Sequence, residues 1–266
     1  MKLGWKRMNS FYFITDLDRT IIHSKNKGYK CVETIGDKEI TYMTNEGYDK
    51  LQKLLNLDNF KFIPCTMRNI NQTLRVNFIR EYNPQIIICS NGAQIYINGE
   101  LDKNWDEKMK AICNIDDLNR DISYLRQLSE KFKEEIKVLE VRNIENFYIT
   151  IKCLTTEDAD KFYEKIKESF KENLKIIKIE VKIFIINKNI DKSFAVDYII
   201  KKFNIKNLIT SGDSEVDKEF TKRGISILPK HSAFKHNNSI ITNKNKIAST
   251  EDIVEIIDEI MRKKII

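Results

Sequence analysis

The sequence predicts an α/β fold with a doubly wound, mainly parallel, Rossmann-like core and an inserted α+β domain. Short apolar strands alternate with amphipathic helices near both ends of the chain, in the order typical of a parallel sheet with crossover helices. Between these two parts, adjacent strands with alternating polar and apolar residues indicate an antiparallel sheet covered by helices on one face. We therefore predict a core of residues 1–93 and 188–266 and an inserted domain of residues 94–187.

The first half of the core begins with a buried strand, Phe11–Thr15, which is rich in aromatic and β-branched residues. Residues 21–43 are predicted to form a β-hairpin that turns at Gly36, and this hairpin either lines a site or is plain surface structure. Helices and strands then alternate, with a helix at 45–56, a strand at 61–65, a helix at 69–82 and a strand at 85–89.

The inserted domain opens with a hairpin turn at Asn98-Gly99. It is predicted to contain helices at 106–113, 116–133 and 156–172, with strands at 136–141, 147–153 and within 176–186. The core pattern then returns, with a helix at 192–203, a strand at 208–211, a helix at 218–223, strands at 225–228 and 239–242, and a C-terminal helix capped by Ser249.

The charge pattern argues against a nucleic-acid partner. Lys and Arg outnumber Asp and Glu by 46 to 39, but the lysines are scattered and form no basic block. A solvated surface explains this pattern, and the net charge of +7 also suits an anionic, phosphorylated substrate.

Cysteine usage and hydropathy indicate the compartment. The five cysteines are an odd number without a CxxC spacing, which predicts free thiols in a reducing environment. No apolar run reaches the ~18 residues that span a bilayer, and the N-terminus lacks the apolar centre of a signal peptide. We therefore expect a cytoplasmic protein with no membrane partner.

Polar side chains follow three separate strands of the predicted core, and a lysine opens a core helix. These residues are Asp16, Asp18, Thr66, Lys192, Asp213 and Asp217. Because the carboxyl ends of parallel strands lie at one edge of a sheet, we expect the side chains to converge. Several carboxylates suit a Mg²⁺ ion, a lysine beside them balances charge and holds a phosphate oxygen, and a free aspartate can attack phosphorus.

These residues occur in the order of four known motifs. DLDRT at 16–20, Thr66 at a strand end, Lys192 and GDSEVD at 212–217 resemble the motifs of haloacid dehalogenase-like (HAD) phosphatases. SNGA at 90–93, followed by a long insertion, is similar to the Cof-type and sucrose-phosphatase-like subgroup, whose large α/β cap lies between the second and third motifs. The resemblance spans nearly the whole chain and implies that the inserted domain is a cap that supplies substrate specificity.

The resemblance implies a catalytic role for four residues. Asp16 would be the nucleophile, and Asp18 would act as the general acid and then as the general base. Thr66 and Lys192 would hold the phosphoryl group while it is transferred.

The implied cofactor is Mg²⁺. Its ligands would be Asp16, the backbone carbonyl of Asp18, and Asp213, and Asp217 would orient these ligands.

Some positions depart from the family pattern or stay ambiguous. Arg19 stands where a small residue is usual, and it is expected either to meet a second anionic group of the substrate or, as the preferred interpretation, to point to solvent. Val216 stands where the subgroup often has asparagine, which alters the surroundings of the metal. Asn91 and Gly92 are either neighbours of the phosphate or turn-forming residues.

The function implied by the resemblance is that of a Mg²⁺-dependent phosphatase. It would hydrolyse a small phosphorylated metabolite, with a sugar phosphate as the favoured class, through an aspartyl-phosphate intermediate. Two alternatives stay open, a phosphosugar mutase with the same nucleophile and a non-catalytic phosphate-binding regulatory protein. A monomer or homodimer is expected. The basic residues that are candidates for contacting the substrate from the insertion or its exit are Arg142, Lys152 and Lys188.

Overall fold

The computed structural model describes residues 10–24 and 27–265. The N-terminal residues on which the prediction about a signal peptide depends lie largely outside this part of the chain. The chain divides into two compact units, one running to Leu101 and resuming at Lys192, and the other formed by Asp102–Asp191. The second unit begins later than the insertion predicted at 94–187, because residues 94–101 form a hairpin that pairs with a strand of the first unit.

The elements are numbered in chain order. The first part of the core unit contains β1 (Phe11–Thr15), β2 (His23–Ser24), β3 (Lys30–Ile35), β4 (Lys38–Met43), α1 (Asn45–Leu55), β5 (Phe60–Pro64), α2 (Ile70–Leu74), α3 (Asn77–Tyr82), β6 (Ile86–Cys89), β7 (Gln94–Ile97) and β8 (Glu100–Leu101). The inserted unit contains α4 (Lys103–Ala111), α5 (Ile115–Lys131), β9 (Val138–Ile144), β10 (Tyr148–Cys153), α6 (Thr156–Ile166), β11 (Leu174–Ile179) and β12 (Lys182–Asn187). The second part of the core unit contains α7 (Lys192–Phe203), β13 (Asn207–Ser211), α8 (Lys218–Thr221), β14 (Ile225–Leu228), β15 (Ile240–Ile241) and α9 (Ser249–Ile265).

A five-stranded parallel sheet forms the centre of the core unit, in the order β15-β14-β13-β1-β5. The first strand is central and buried, with Phe13 and Ile14 fully excluded from solvent. Its apolar cluster includes Leu51 of α1, Phe78 of α3 and Ile253 of α9, so helices cover the sheet. The predicted α/β class with a parallel core is therefore confirmed.

The hairpin predicted within residues 21–43 is part of a three-stranded antiparallel sheet in the order β2-β4-β3. Gly36, in the turn, has a φ of 56°, a left-handed conformation that glycine adopts without steric cost. Residues 25 and 26 of this region lie outside the described part of the chain.

Several predicted helix bounds are wrong, and the helix predicted at 106–113, for example, is observed at Lys103–Ala111. The helix predicted at 69–82 is two helices, because Val76 is extended (ψ 116°) and forms a β-bridge with Glu33. The helix predicted at 156–172 ends at Ile166. Ser249 lies inside the C-terminal helix instead of capping it, since a 3₁₀ turn precedes it and its hydroxyl donates to the carbonyl of Lys246.

The inserted unit contains a four-stranded antiparallel sheet in the order β11-β12-β10-β9. Side chains on one face, including Ile149 and Ile183, pack with Leu125 of α5 and Phe162 of α6. The other face carries Tyr148, Thr150 and Phe184, whose side chains are also buried, so burial is not confined to the face that α5 and α6 cover. Within the described residues, every helix is too short or too polar to cross a bilayer.

Candidate active site

The candidate site lies where two neighbouring strands of the parallel sheet end. Thr15 of β1 is in register with Ser211 of β13, and the next residue, Asp16, donates its backbone N–H to the Ser211 carbonyl at 3.0 Å. Gly212 follows Ser211, and a Cβ at this glycine would lie 2.4 Å from the Cβ of Asp217. Only glycine therefore lets Asp217 approach the strand end this closely.

Lys192 is the cation at the centre of the site. It is the first residue of α7, and its side chain is fully buried. Its Nζ donates to Asp16 Oδ1 at 2.6 Å and to Asp217 Oδ1 at 2.7 Å. Burial by itself would lower the pKa of Lys192, but the carboxylates of Asp16 and Asp217 outweigh burial and raise that pKa.

Asp217 has hydrogen-bond donors on both carboxylate oxygens. Oδ1 accepts from Lys192, while Oδ2 accepts from the backbone N–H of Asp213 at 3.2 Å and from the backbone and hydroxyl of Ser214 at 2.9 and 2.7 Å. Because its oxygens are occupied in this way, Asp217 is suited to holding the loop and Lys192 in place.

Asp213 contributes a third carboxylate to the cluster of Asp16 and Asp217. Its Oδ1 accepts a hydrogen bond of 3.3 Å from the Thr20 hydroxyl, which also lies 3.4 Å from Asp16 Oδ2. Its Oδ2 lies 3.0 Å from Arg19 Nη2, as an ion pair without hydrogen-bond alignment, so no described residue donates a hydrogen bond to this buried oxygen. The preferred interpretation of Arg19 as a solvent-facing side chain is therefore wrong.

Crowding of these acids changes their protonation. Burial, the nearby carboxylates of Asp217 and Asp213, and Asp18 raise the pKa of Asp16 well above its usual value, although Lys192 opposes them. Burial and then Asp217 raise the pKa of Asp213 to about 7, against the effects of Arg19 and Lys192. The site therefore has an excess of negative charge that a further cation would relieve.

Asp18 is held apart from this buried cluster by Arg68. Nε of Arg68 donates to Asp18 Oδ2 and Nη2 donates to Oδ1, both at 2.7 Å, which is the two-point geometry that favours Arg–carboxylate pairs. The Asp18 side chain is 51% exposed, so it is accessible from solvent while its orientation is held.

Thr66 follows β5 and is buried. Its hydroxyl accepts a hydrogen bond of 3.2 Å from the Arg68 backbone, and its carbonyl accepts one of 3.0 Å from the Asn91 backbone. The loop after β6 is unusual, because Ser90, Asn91 and Gly92 all have positive φ values of 51°, 57° and 89°. Strained backbone of this kind is concentrated at functional sites.

The structure thus joins four predicted residues by direct contacts, and the other two share a contact with Arg68. The contacting group is Asp16, Lys192, Asp213 and Asp217, in which Asp213 meets Asp217 through its backbone. Thr66 and Asp18 both contact Arg68.

The basic candidates of the inserted unit are on or beside its sheet. Register places Arg142 opposite Thr150, so Arg142 and Lys152 share the face of Tyr148, where Arg142 pairs with Glu140 at 3.1 Å. Lys188, after β12, donates its backbone N–H to the Asn173 carbonyl. Contact of these three residues with a substrate stays a prediction.

Sequence reasoning missed three residues of the site. Arg68 was identifiable by its place two residues after Thr66, and Thr20 by its place inside DLDRT. Glu33, which contacts Arg68, appears in the sequence only as a lone acid in the apolar strand KCVETI, a weak indication.

The chain is similar to known proteins in sequence and in fold. A family model described as sucrose-6F-phosphate phosphohydrolase matches residues 9–250. The sucrose-phosphatase of Synechocystis is 13% identical with a TM-score of 0.60, covering 95% of this chain and 98% of that one. A haloacid dehalogenase-like hydrolase from Bacteroides thetaiotaomicron is 11% identical with a TM-score of 0.60, covering 95% and 100%. A HAD subclass IIB sugar phosphatase is 14% identical with a TM-score of 0.58, covering 94% and 99%.

No curated relative matches the chain at a significant level. The likeness to the solved structures shows the fold. The family model shows the family, because it spans most of the chain. This chain therefore belongs to the sucrose-6F-phosphate phosphohydrolase family of HAD-like phosphatases, which confirms both the resemblance stated from its motifs and the predicted enzyme class, a phosphoric monoester hydrolase.

Proposed function

We propose that this protein is a Mg²⁺-dependent sugar-phosphate phosphatase that uses Asp16 as its nucleophile. The observation that supports this best is the pairing of Asp16 with the buried Lys192 at the strand end, while a second acid, Asp18, is held separately and exposed by Arg68. We assign attack to Asp16, which adjoins the buried Lys192 and the other acids, and proton transfer to Asp18, whose exposed side chain a leaving group can reach.

In the first step, a carboxylate oxygen of Asp16 attacks the phosphorus of the bound ester. The bond from phosphorus to the sugar oxygen breaks, and Asp18 gives its proton to that oxygen, so that the sugar leaves as an alcohol. While it is protonated, Asp18 keeps only one of its two hydrogen bonds from Arg68, because the other oxygen carries the proton. Lys192 reduces the repulsion between Asp16 and the anionic phosphate.

In the second step, Asp18 is a carboxylate and takes a proton from a water molecule. The oxygen of that water attacks the phosphorus, and the bond from phosphorus to Asp16 breaks. Inorganic phosphate is released, Asp16 is again a carboxylate, and Asp18 is again an acid. We assign Thr66, whose hydroxyl and carbonyl accept hydrogen bonds from the Arg68 and Asn91 backbones, the role of donating its hydroxyl to a phosphoryl oxygen.

The residues of the site fit a magnesium ion. Oxygen atoms of Asp16, Asp213 and Asp217 lie within 4.8 Å of one another, and Asp213 Oδ2 is buried without a hydrogen-bond donor among the described residues. Hard carboxylate oxygens with room for water and phosphate are what Mg²⁺ prefers. We assign the ion to Asp16, Asp213 and the Asp18 carbonyl, and when bound it would neutralise charge on the phosphoryl group.

Arg19 competes for this metal site. Its guanidinium pairs with Asp213 Oδ2, the oxygen that we assign to the ion. We expect Arg19→Gln to bind Mg²⁺ about fivefold more tightly, equivalent to roughly 1 kcal/mol, because a competing cation is removed. Isothermal titration calorimetry without substrate measures this affinity. Arg223→Gln, which removes the same charge from an exposed pair with Asp197, is the control, and unchanged or weaker binding by Arg19→Gln would contradict the competition.

The substrate class is proposed from the family and tested with a panel. Sucrose 6-phosphate is the first candidate, because the family model carries its name and a structural neighbour is a sucrose-phosphatase. We expect wild-type protein to release inorganic phosphate from at least one sugar phosphate and from p-nitrophenyl phosphate, with chelation of Mg²⁺ abolishing both activities. Conversion of a sugar phosphate to its isomer without phosphate release would indicate a mutase, and binding without turnover would indicate a regulatory protein.

A further inference from the structure

We propose that Glu33, on the hairpin beside the site, is a positioning residue that acts through Arg68 to hold Asp18 where it transfers its proton to the leaving group. This inference rests on the proposed function, since it assumes that Asp18 is the general acid. It adds a residue from outside the four motifs and gives the hairpin a specific task.

The contacts form a continuous chain of alternating charges. Arg68 meets Asp18 through Nε and Nη2, and its remaining nitrogen, Nη1, donates to Glu33 Oε2 at 2.8 Å. The other carboxylate oxygen of Glu33 accepts from Arg75 Nε at 3.1 Å, and Thr41 donates to Oε2 at 3.1 Å. All three nitrogens of the Arg68 guanidinium therefore donate to carboxylates, which limits the guanidinium to one orientation.

Burial of these charged side chains costs desolvation free energy. The Glu33 side chain is fully buried, and the Arg68 side chain is only 12% exposed. A buried ion network usually contributes less stability than apolar residues of the same volume would, so stability alone is a poor explanation for a charged residue here. A need for a fixed orientation of Arg68 explains it better.

The backbone of the hairpin aims Glu33 toward the site. Two irregularities in the pairing of β3 with β4 flank Glu33, one after Cys31 and one before Thr34. β-Bulges re-aim side chains and are common next to active sites. Glu33 also forms a bridge with Val76, the residue that separates α2 from α3, so the hairpin is joined to the segment that follows Arg68.

The dependence of activity on the leaving group tests whether this chain of contacts affects proton transfer. A nitrophenolate is a stable anion and leaves with little help from an acid, whereas a less acidic phenol needs its oxygen protonated as the bond to phosphorus breaks. A protein in which Asp18 is poorly oriented loses activity on the second kind of ester and keeps it on the first. A general loss of folding or of metal binding affects both esters alike.

The test compares p-nitrophenyl phosphate with phenyl phosphate at saturating Mg²⁺ for wild type, Glu33→Gln and Glu33→Asp. Glu33→Gln removes the charge, and Glu33→Asp keeps the charge but withdraws the carboxylate by one methylene, which protects folding. For both variants we expect kcat/KM on phenyl phosphate to fall about 10- to 100-fold, as for other residues that orient a reacting group. On p-nitrophenyl phosphate we expect a fall of no more than about threefold.

Glu39→Gln is the matched control, because Glu39 is an exposed acid on the same hairpin whose partner is Tyr42. It should leave both rates as in wild type. Equal losses on the two esters, or no loss by either Glu33 variant when its melting curve shows a folded protein, would overturn the assignment of Glu33. Failure of the wild-type protein to hydrolyse either ester would instead overturn the proposed function, so the two failures are distinguishable.

Discussion

Asp16→Asn is expected to abolish hydrolysis of phosphate esters while the protein stays folded. The amide cannot form the bond to phosphorus, so kcat/KM should fall by at least about 10³-fold on every ester that the wild type hydrolyses. Rapid quenching with a radiolabelled ester should trap a phosphorylated protein for the wild type and none for Asp16→Asn. The fold is expected to survive because Lys192 keeps its contact with Asp217.

A matched control separates loss of the nucleophile from loss of a carboxylate in general. Asp197 is an aspartate of the same core unit whose carboxylate pairs with Arg223 at 2.8 Å, and its side chain is 48% exposed. Asp197→Asn should retain wild-type turnover. Substantial turnover by Asp16→Asn would show that another group attacks phosphorus, and the mechanism proposed for this site would then be wrong.

Lys192→Met is expected to lower both activity and stability. The substitution keeps a similar volume but leaves Asp16 and Asp217 buried without their shared cation. Removing one partner from a buried ion pair costs about 3–5 kcal/mol of unfolding free energy at neutral pH. The deficit should shrink as the pH falls, because protonated carboxyl groups need no counter-charge. Urea unfolding at several pH values, without metal, measures this.

Lys201 supplies the control for this variant, since it is an exposed lysine of the same helix. Lys201→Met should change the unfolding free energy by no more than about 0.5 kcal/mol. An unfolding curve for Lys192→Met that matches wild type at neutral pH would mean that Asp16 and Asp217 do not depend on Lys192 for their charge balance.

The elements that the sequence predicts well are those with a strong local pattern. Phe11–Thr15 is a continuous apolar run, and such a run ending in an acid is typical of a buried parallel strand. The parallel sheet, the helices around it and the antiparallel sheet of the inserted unit followed from periodicity. Helix ends were less predictable, because the break at Val76 results from a bridge to Glu33, a residue distant in sequence.

The residues of the site also divide into those predictable from local sequence and those set by distant contacts. Asp16 and Asp213 each follow a strand, and strands that are parallel neighbours bring their ends together whatever the loops between them contain. Arg19 was misjudged because its partner, Asp213, belongs to a different strand end. The partner of a charged residue cannot be identified from local sequence when that partner follows a different strand.

By itself, then, the amino-acid sequence determined the α/β class, the order of the motifs and the set of acids and one lysine that meet at the sheet edge, because each depends on patterns within a few residues. Only the tertiary structure decided which oxygen each cation contacts. It placed Arg68 on Asp18, Arg19 on Asp213 and the buried Glu33 behind Arg68. These contacts join residues distant in the chain, and their geometry is set by packing and burial.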